Sequence, residues 1–248
     1  MPPLPTELNQ SSLIAAGVNR SLSIGTTQLW AGEIGPHNGQ SPRCDHTSMR
    51  WANFADSFWY LDAMGTHARH GYSVFCRQDF VGIAYGMVDC ATYDPLPDYY
   101  SGIMWSMLMG PAVLQVDSNE SHVRAYAHCS AGDAAQGGLS LLLINLAPAT
   151  PNNVSVHLPG SGSGNNGDGV VDGSLSATAY VLTGPGGMNA TAMALNGDLL
   201  QMTPEGTLPP ITGRNVLLPW QSDGSVLVTL PNASIVFLHI SAIKDAGC

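Results

Sequence analysis

Positive charge is scarce in this chain of 248 residues, which contains one lysine, Lys244, and seven arginines. The formal net charge is -10, and only 10% of the residues are charged, whereas about a quarter is usual for a globular domain. Nucleic-acid binding depends on a basic surface. The charge balance therefore argues against nucleic acid as a partner, and also against a long, densely sulfated polyanion.

Closely spaced cysteines and long apolar runs are also missing. None of the five cysteines stands in C-x-x-C spacing, which argues against a zinc site or a thioredoxin motif. His67 and His70 lie on one predicted helix end without an evident third ligand, so we expect no metal ion and no cofactor. No stretch is apolar for long enough to span a membrane. Hydrophobic residues nevertheless make up 44% of the chain, which is enough for a sizeable core.

The start of the chain lacks the basic and apolar regions of a signal peptide, yet N-glycosylation sequons are frequent. Six N-x-[ST] tripeptides in a chain of this length indicate a secretory-pathway protein with glycosylated surface loops. Either the chain is cytosolic and the sequons are silent, or Met1 is not the true start of the protein. The sequon asparagines are Asn9, Asn19, Asn119, Asn153, Asn189 and Asn232.

A short segment from Thr26 to Glu33 predicts a strand of β-branched and apolar residues that ends on a carboxylate. A loop rich in glycine, proline and asparagine follows, from Ile34 to Pro42. A (β/α) barrel places its catalytic groups at strand ends of this kind. Glu33 is therefore a candidate catalytic residue, and the alternative is an ordinary surface acid at the end of a strand.

A helix and a second strand follow this loop. Apolar residues at helical spacing predict an amphipathic helix from Thr47 to His70, with Asp45 or Thr47 as its cap and Gly71 at its end. The segment 72–76 predicts a buried strand. A further helix is predicted over 99–109, so two β/α units stand in tandem, as in a parallel barrel or a doubly wound sheet.

Beyond Gly110 the chain changes to short strands separated by turn-forming residues, which favours an antiparallel β-sandwich. The predicted organisation is α/β plus all-β, with a partial barrel at residues 1–110 and a sandwich at residues 111–248. The predicted strands are 111–116, 122–129, 139–146, 154–158, 177–183, 199–203, 225–230 and 234–240.

Several short blocks of residues occur in a defined order along the chain. In the first part they are Trp30-Ala31-Gly32-Glu33, Phe58-Trp59-Tyr60-Leu61-Asp62, Cys76-Arg77-Gln78, Tyr85-Gly86, Pro97-Asp98-Tyr99-Tyr100 and Leu108-Met109-Gly110. In the second they are Val123-Arg124-Ala125-Tyr126-Ala127-His128-Cys129, Leu195-Asn196-Gly197, Leu208-Pro209-Pro210 and Ser234-Ile235-Val236-Phe237. Together these blocks resemble the C-terminal half of the heparanase-like β-glucuronidases, glycoside hydrolase family 79, and especially the plant members.

This resemblance implies a retaining glycosidase with two carboxyl groups on a (β/α)₈ TIM barrel, followed by a β-sandwich. Glu33 matches the family nucleophile, which would attack the anomeric carbon while a partner acid protonates the leaving oxygen. Gln78 and Tyr85 match residues that line the sugar site. Asn38 and Gly39 belong to the loop whose backbone contacts the sugar carboxylate.

A uronate substrate also calls for a cation or backbone donors near Glu33, and the local candidates for a cation are Arg77 and Arg43. The resemblance further implies a disulfide between Cys129 and Cys248, because relatives link a cysteine of this strand to one at the extreme C-terminus. Cys76 is then expected to be a buried strand thiol. Cys44 and Cys90 could be free or paired.

The partner acid of the family lies in an Asn-Glu pair on an earlier barrel strand. The only such pair here, Asn119-Glu120, falls in a predicted turn between sandwich strands, so we reject it. The chain therefore carries about two of the eight β/α units and one of two catalytic carboxylates. We expect a fragment of a secretory-pathway protein, destined for the extracellular space or cell wall, a lysosome or a vacuole, with membrane association as an open possibility.

Two functions are compatible with these observations. The first is part of a β-glucuronidase that acts on glucuronic-acid-containing glycans or glucuronides, and whose missing N-terminal barrel half is supplied by the same gene product or by a second chain. The second is a non-catalytic glycan-binding or structural remnant built on the sandwich.

Overall fold

The computed structural model describes residues 28–36, 51–131, 138–158, 170–171, 174–241 and 248. Its first part contains two β/α units, formed by β1 (Leu29–Ile34), α1 (Phe54–Arg69), β2 (Tyr72–Arg77) and α2 (Pro97–Leu108). The strands β1 and β2 pair in parallel, with Ile34 opposite Arg77. Their carboxyl ends therefore lie side by side, as the tandem pattern predicts. In the described residues, no helix has both the length and the apolar character needed to cross a bilayer.

Helix α1 is shorter at its start than its apolar pattern predicts. It begins at Phe54, and Asn53 caps it by accepting a hydrogen bond from the Ala55 amide at 3.1 Å. The expected caps, Asp45 and Thr47, lie outside the described residues. At the other end Gly71 has φ +82, a conformation that glycine adopts without a steric penalty and that ends helices.

The second part of the chain is built almost entirely from antiparallel strands. Nine of them form one sheet with the order β10-β9-β8-β13-β5-β4-β3, in which β7 and β11 also pair with β8. The two remaining strands, β6 and β12, form a separate pair. The bounds are β3 Met109–Leu114, β4 Val123–Ser130, β5 Leu139–Asn145, β6 Asn152–His157, β7 Val170–Val171, β8 Ser174–Thr183, β9 Met193–Leu195, β10 Asp198–Leu200, β11 Arg214–Pro219, β12 Ser225–Leu230 and β13 Ser234–Ile240.

The large sheet has an apolar cluster on each face. On one face, Phe54, Phe58 and Leu61 of α1 pack with Leu142 and Phe237 of the sheet. On the other face the strand pair β6–β12 contributes to a cluster of small aliphatic residues. Alternation along β5 and β13 supplies both clusters, because successive side chains of a strand point to opposite faces. The protein is therefore a mostly-sheet α/β structure with a helical layer on one side.

Helix α1 approaches strand β4 very closely at Gly65. A Cβ atom at this position would overlap the ring of Tyr126. The Tyr126 hydroxyl donates a hydrogen bond to Asp62 Oδ1 at 2.5 Å and lies 2.9 Å from Thr66 Oγ1. These contacts fix the helical layer on the sheet.

The cysteines agree with the sequence expectations in one case and differ in another. Cys129 and Cys248 form a disulfide with Cα atoms 5.4 Å apart, as the resemblance implied. Cys76, which we expected to be buried, is an exposed free thiol. The reason is strand alternation: Phe75 packs toward Tyr60 and His67 of α1, so Cys76 points to the opposite face of β2. Cys90 is disulfide-bonded, and Cys44 lies outside the described residues.

Candidate active site

Glu33 and Gln78 meet at the carboxyl ends of the two parallel strands. The Gln78 amide N–H donates to the Ile34 carbonyl at 2.8 Å, which extends the strand pairing by one residue. The Gln78 side chain then donates from Nε2 to Glu33 Oε1 at 2.7 Å. A carboxylate has two oxygens, so a neutral donor on one of them leaves the other for attack on an electrophile. The Glu33 side chain is exposed and can be reached by a ligand.

Tyr85 lies close to the same strand ends. Its side chain is buried, and a Cβ atom at Gly35 would stand only 3.1 Å from its Cε2 atom. A glycine directly after β1 therefore allows the ring to approach. Burial raises the pKa of the Tyr85 phenol, and the charges of Asp79 and Glu33 act in the same direction while Arg77 opposes them. The hydroxyl consequently stays protonated and can serve as a hydrogen-bond donor.

The loop between Gln78 and Tyr85 folds back on itself. The Met87 amide donates to the Asp79 carbonyl at 3.1 Å, and the Val88 amide donates to the Phe80 carbonyl at 2.9 Å. Asp79 follows Gln78 directly, and burial raises the pKa of its carboxyl group. This backbone pairing gives the segment that carries both candidate sugar-binding side chains a defined shape.

Arg77 does not present its charge to the site, contrary to our expectation. Its guanidinium is paired with Asp56 and Asp98, each at 2.9 Å, and the side chain is only 3% exposed. It also donates to the Tyr85 carbonyl at 2.9 Å and to the Gln78 carbonyl. Because its guanidinium is buried and held by these partners, Arg77 has a structural role in place of the direct uronate contact that we expected.

Neither of the two acids that pair with Arg77 was proposed as a functional residue from the sequence. Asp56 is in the first turn of α1, and Asp98 is in the first turn of α2. Burial, and next the charge of Asp98, raise the pKa of Asp56 well above its usual value, while Arg77 opposes them. An available signal was that Asp56 and Ser57 interrupt the aromatic stripe of α1, because polar residues inside an apolar face require buried partners.

Three predicted site residues, Asn38, Gly39 and Arg43, lie outside the described residues, so their roles stay predictions. Glu120 is in the exposed loop between β3 and β4, and Glu205 is in an exposed turn after β10, so neither accompanies Glu33 on the parallel strands. In the described part of the chain, no group of three or more His, Cys, Asp or Glu side chains is arranged to hold a metal ion.

The sequon asparagines that the structure describes are all exposed. Three lie in connections at one end of the large sheet: Asn119 between β3 and β4, Asn189 after β8, and Asn232 between β12 and β13. Asn153 stands near the start of β6, where it accepts a hydrogen bond from Thr229 at 2.8 Å. The other two, Asn9 and Asn19, lie outside the described residues.

Plant proteins named as heparanase-like or as a β-glucuronidase are similar to this chain in sequence. The chain is 35% identical over 238 residues to heparanase-like protein 1 of Arabidopsis thaliana, covering 84% of this chain and 41% of that protein. It is 29% identical over 188 residues to baicalin-beta-D-glucuronidase of Scutellaria baicalensis, covering 75% of this chain and 32% of that protein. No protein-family model matches the chain.

A similar fold occurs in solved structures of glycoside hydrolases. An α-L-arabinofuranosidase from Thermotoga maritima superimposes with a TM-score of 0.60 at 14% identity, covering 94% of this chain and 47% of that one. At this identity the likeness concerns the fold alone. The chain thus spans about two fifths of the length of the Arabidopsis relative, and over that span it is a homologue of the heparanase-like proteins of glycoside hydrolase family 79.

Proposed function

We propose that this chain supplies the nucleophile side of a retaining β-glucuronidase site. The observation that supports the proposal is the hydrogen bond from Gln78 Nε2 to Glu33 Oε1 at the ends of two parallel strands. In the first step a Glu33 oxygen would bond to the anomeric carbon, and the glycosidic C–O bond would break as the leaving oxygen takes a proton from an acid. Water would then hydrolyse the glycosyl ester and regenerate the carboxylate.

The fold fits this role if the two β/α units are the last two of a (β/α)₈ barrel. In such barrels the active site lies at the carboxyl ends of the strands, where Glu33 and Gln78 stand. The antiparallel sheets from about residue 111 would then be the sandwich domain. The general acid and the rest of the barrel would come from a segment outside this chain, which agrees with the greater length of the relatives.

For the substrate we propose a glucuronic-acid-containing carbohydrate or glucuronide, because one relative is a baicalin-beta-D-glucuronidase. Within the site, Gln78 can bind a sugar hydroxyl and orient Glu33, and Tyr85 can donate a hydrogen bond to the carboxylate or the uronate. The exposed sequons and the disulfide between Cys129 and Cys248 support a secretory route, since disulfides persist in oxidising compartments.

The proposal is tested by trapping the nucleophile in the full-length protein that contains this chain. A 2-fluoro-glucuronyl fluoride should label the protein, and peptide mass spectrometry should find the sugar on Glu33. The Glu33→Gln variant should lose labelling, and kcat on an aryl glucuronide should fall on the order of 10⁴-fold.

Glu120→Gln is the matched control, because Glu120 lies in an exposed loop of the antiparallel sheet and its loss should change neither readout. Labelling of another carboxylate, or full activity of Glu33→Gln, would refute the assignment. A folded parent protein that neither hydrolyses glucuronides nor becomes labelled would favour the non-catalytic alternative.

A further inference from the structure

The guanidinium of Arg77 joins both helices to the end of strand β2. Nη2 lies 2.9 Å from Asp56 Oδ2 on α1 and 2.9 Å from Asp98 Oδ2 on α2. Nε donates a further hydrogen bond to Asp98 Oδ2 at 3.2 Å. The side chains of all three residues are almost completely buried, so water does not screen these ion pairs.

The same guanidinium also holds the backbone of the site. Nη2 donates to the Tyr85 carbonyl at 2.9 Å, and Nη1 donates to the Gln78 carbonyl. These two carbonyls belong to Gln78, whose side chain contacts Glu33, and to Tyr85, whose ring lies against Gly35. One buried group thereby fixes both ends of the segment 78–85, and it does so from the position directly before Gln78.

The surroundings of Arg77 fit a planar guanidinium rather than a point charge. Its carbon atom lies 5.4 Å from the ring centroid of Trp59, 5.6 Å from Tyr60 and 5.8 Å from Tyr85. Ser57 fixes one acid by donating to Asp98 Oδ1 at 2.9 Å. Arginine has a flat fork of donors that lysine lacks, and it stacks on aromatic rings, so lysine cannot reproduce this set of contacts.

We propose that Arg77 is a positioning residue that holds Gln78 against Glu33 and so orients the candidate nucleophile. It acts through the Gln78 backbone rather than by touching the sugar. The inference rests on the proposed function, because it names which buried residue that site depends on. The geometry therefore predicts that substitution of Arg77 affects catalysis mainly while the Gln78 side chain is present.

The first test compares Arg77→Lys with the parent in the full-length protein, using an aryl glucuronide. We expect kcat/KM to fall by about 10²-fold, which is the typical cost of a misplacement near 1 Å at a reacting group, with most of the loss in kcat. The matched control is Arg124→Lys, because Arg124 is 38% exposed and lies 3.8 Å from Asp62. The control should stay within about twofold of the parent, and an Arg77→Lys enzyme with unchanged kcat would overturn the proposal.

A double-mutant cycle separates positioning from general destabilisation. Gln78→Ala removes the amide that contacts Glu33, so Arg77→Lys should cause less than about a twofold further loss in that background. If the two effects multiply instead, Arg77 does not act through Gln78 and the proposal is wrong. Ser57→Ala provides a milder perturbation in case Arg77→Lys does not fold, and it should show a smaller loss with the same dependence on Gln78.

Amide hydrogen exchange gives a readout that does not require activity. The Met87 and Val88 amides, which bond to the Asp79 and Phe80 carbonyls, should exchange at least about tenfold faster in Arg77→Lys than in the parent. Unchanged exchange at these amides would contradict the positioning role even if the parent hydrolysed no glucuronide. Failure of Glu33 labelling in the parent would refute only the proposed function, so the two failures can be told apart.

Discussion

At the scale of single residues, the large sheet buries a histidine that forms a hydrogen bond through one of its two ring nitrogens. His128 on β4 is only 3% exposed, and its Nδ1 lies 2.6 Å from the Gly110 carbonyl. Its Nε2 is buried without a hydrogen-bond partner among the described residues, and the ring packs edge-on against Trp105. Burial lowers the pKa of His128, and the bond to Gly110 only partly opposes this. The neutral ring is therefore the form that the fold favours.

This predicts a loss of stability in acid. The unfolded chain binds a proton at His128 below a pH of about 6.5, whereas the folded protein does so only at lower pH. The free energy of unfolding should therefore fall as the pH drops from about 6.5 through the folded pKa. In His128→Asn the side-chain amide can still donate a hydrogen bond to the Gly110 carbonyl, but it does not titrate. The free energy of unfolding of this variant should therefore depend less steeply on pH. Its stability at pH 7.5 should be lower than that of the parent because the ring contact with Trp105 is lost.

Urea unfolding of the parent and of His128→Asn at pH 7.5, 6.0 and 5.0 would measure how the free energy of unfolding of each protein depends on pH. These pH values lie on either side of about 6.5, the ordinary pKa of histidine. The His122→Asn variant, at a histidine in the exposed turn before β4, serves as the control and should keep the parent slope. Equal slopes for the parent and His128→Asn would contradict the prediction.

Sequence reasoning at this scale succeeded where strand pairing alone decided the outcome. Glu33 is near the end of β1 and Gln78 directly follows β2, so the parallel pairing of these two strands brings them together. Arg77 was misassigned because its partners, Asp56 and Asp98, lie on helices about twenty residues away in either direction. A position in the sequence shows that a charge stands at a strand end, but not which acids of the neighbouring helices neutralise it.

At the scale of elements, helix α1 depends on a glycine where helix propensity would favour almost any other residue. Gly65 lets the helix backbone rest on the ring of Tyr126, and Asp62 and Thr66 hold the hydroxyl of that tyrosine. An interior glycine usually destabilises a helix by roughly 0.5–1 kcal/mol relative to alanine. Close packing against β4 outweighs that cost here.

Gly65→Ala should consequently lower the free energy of unfolding by about 1–3 kcal/mol, as overpacking does, despite the better helix propensity of alanine. Gly102→Ala in α2 is the matched control, because the atom nearest to its new Cβ is the flexible Met87 methyl at 3.2 Å. That variant should be neutral or stabilising by up to about 1 kcal/mol. Denaturant unfolding of both variants measures the difference, and equal effects would disprove the packing argument.

The strands were predicted unevenly, for a physical reason. The bounds of β12 and β13 agree with the predicted segments 225–230 and 234–240, because both strands carry long runs of β-branched and aliphatic residues. Strands β7, β9 and β11 were not predicted, and β7 has only two residues. β9 is only three residues long, and β11 is largely exposed, so neither shows the alternation that a half-buried strand needs.

At the scale of the whole molecule, positive charge is both scarce and partly neutralised. The chain has 8 lysines and arginines against 18 acids. One of those arginines, Arg77, is buried between two aspartates. A long sulfated chain would need several exposed cations along its path, since polyanion binding is dominated by such contacts.

We therefore expect the full-length protein to hydrolyse an aryl glucuronide faster than heparan sulfate at matched concentrations of glucuronyl groups. Initial rates at low and at about 0.15 M salt would measure the preference, and the aryl glucuronide rate should change little with salt because its binding involves few charges. Faster cleavage of heparan sulfate would contradict the prediction. Glu33→Gln measured beside the parent shows which activity belongs to this site.

At this scale the sequence predicted the succession of two β/α units and an antiparallel part, since the change of pattern near Gly110 is sharp. The sequence could not predict that the two parts share one hydrophobic core. Phe54, Tyr100 and Met104 of the helices share one core cluster with Leu182 and Ile235 of the sheet. Apolar residues of both parts are equally suited to separate cores, and only tertiary packing decides between the two arrangements.

The bond between Cys129 and Cys248 has a mechanical consequence. Strand β13 lies between β8 and β5, and without this bond tension on the last residue would peel β13 away from its neighbours. With the disulfide in place, a force applied to Cys248 acts on Cys129 of β4, a strand that pairs with β3 on one side and β5 on the other. Reduction of this bond would thus transfer the pulling force from β4 to β13.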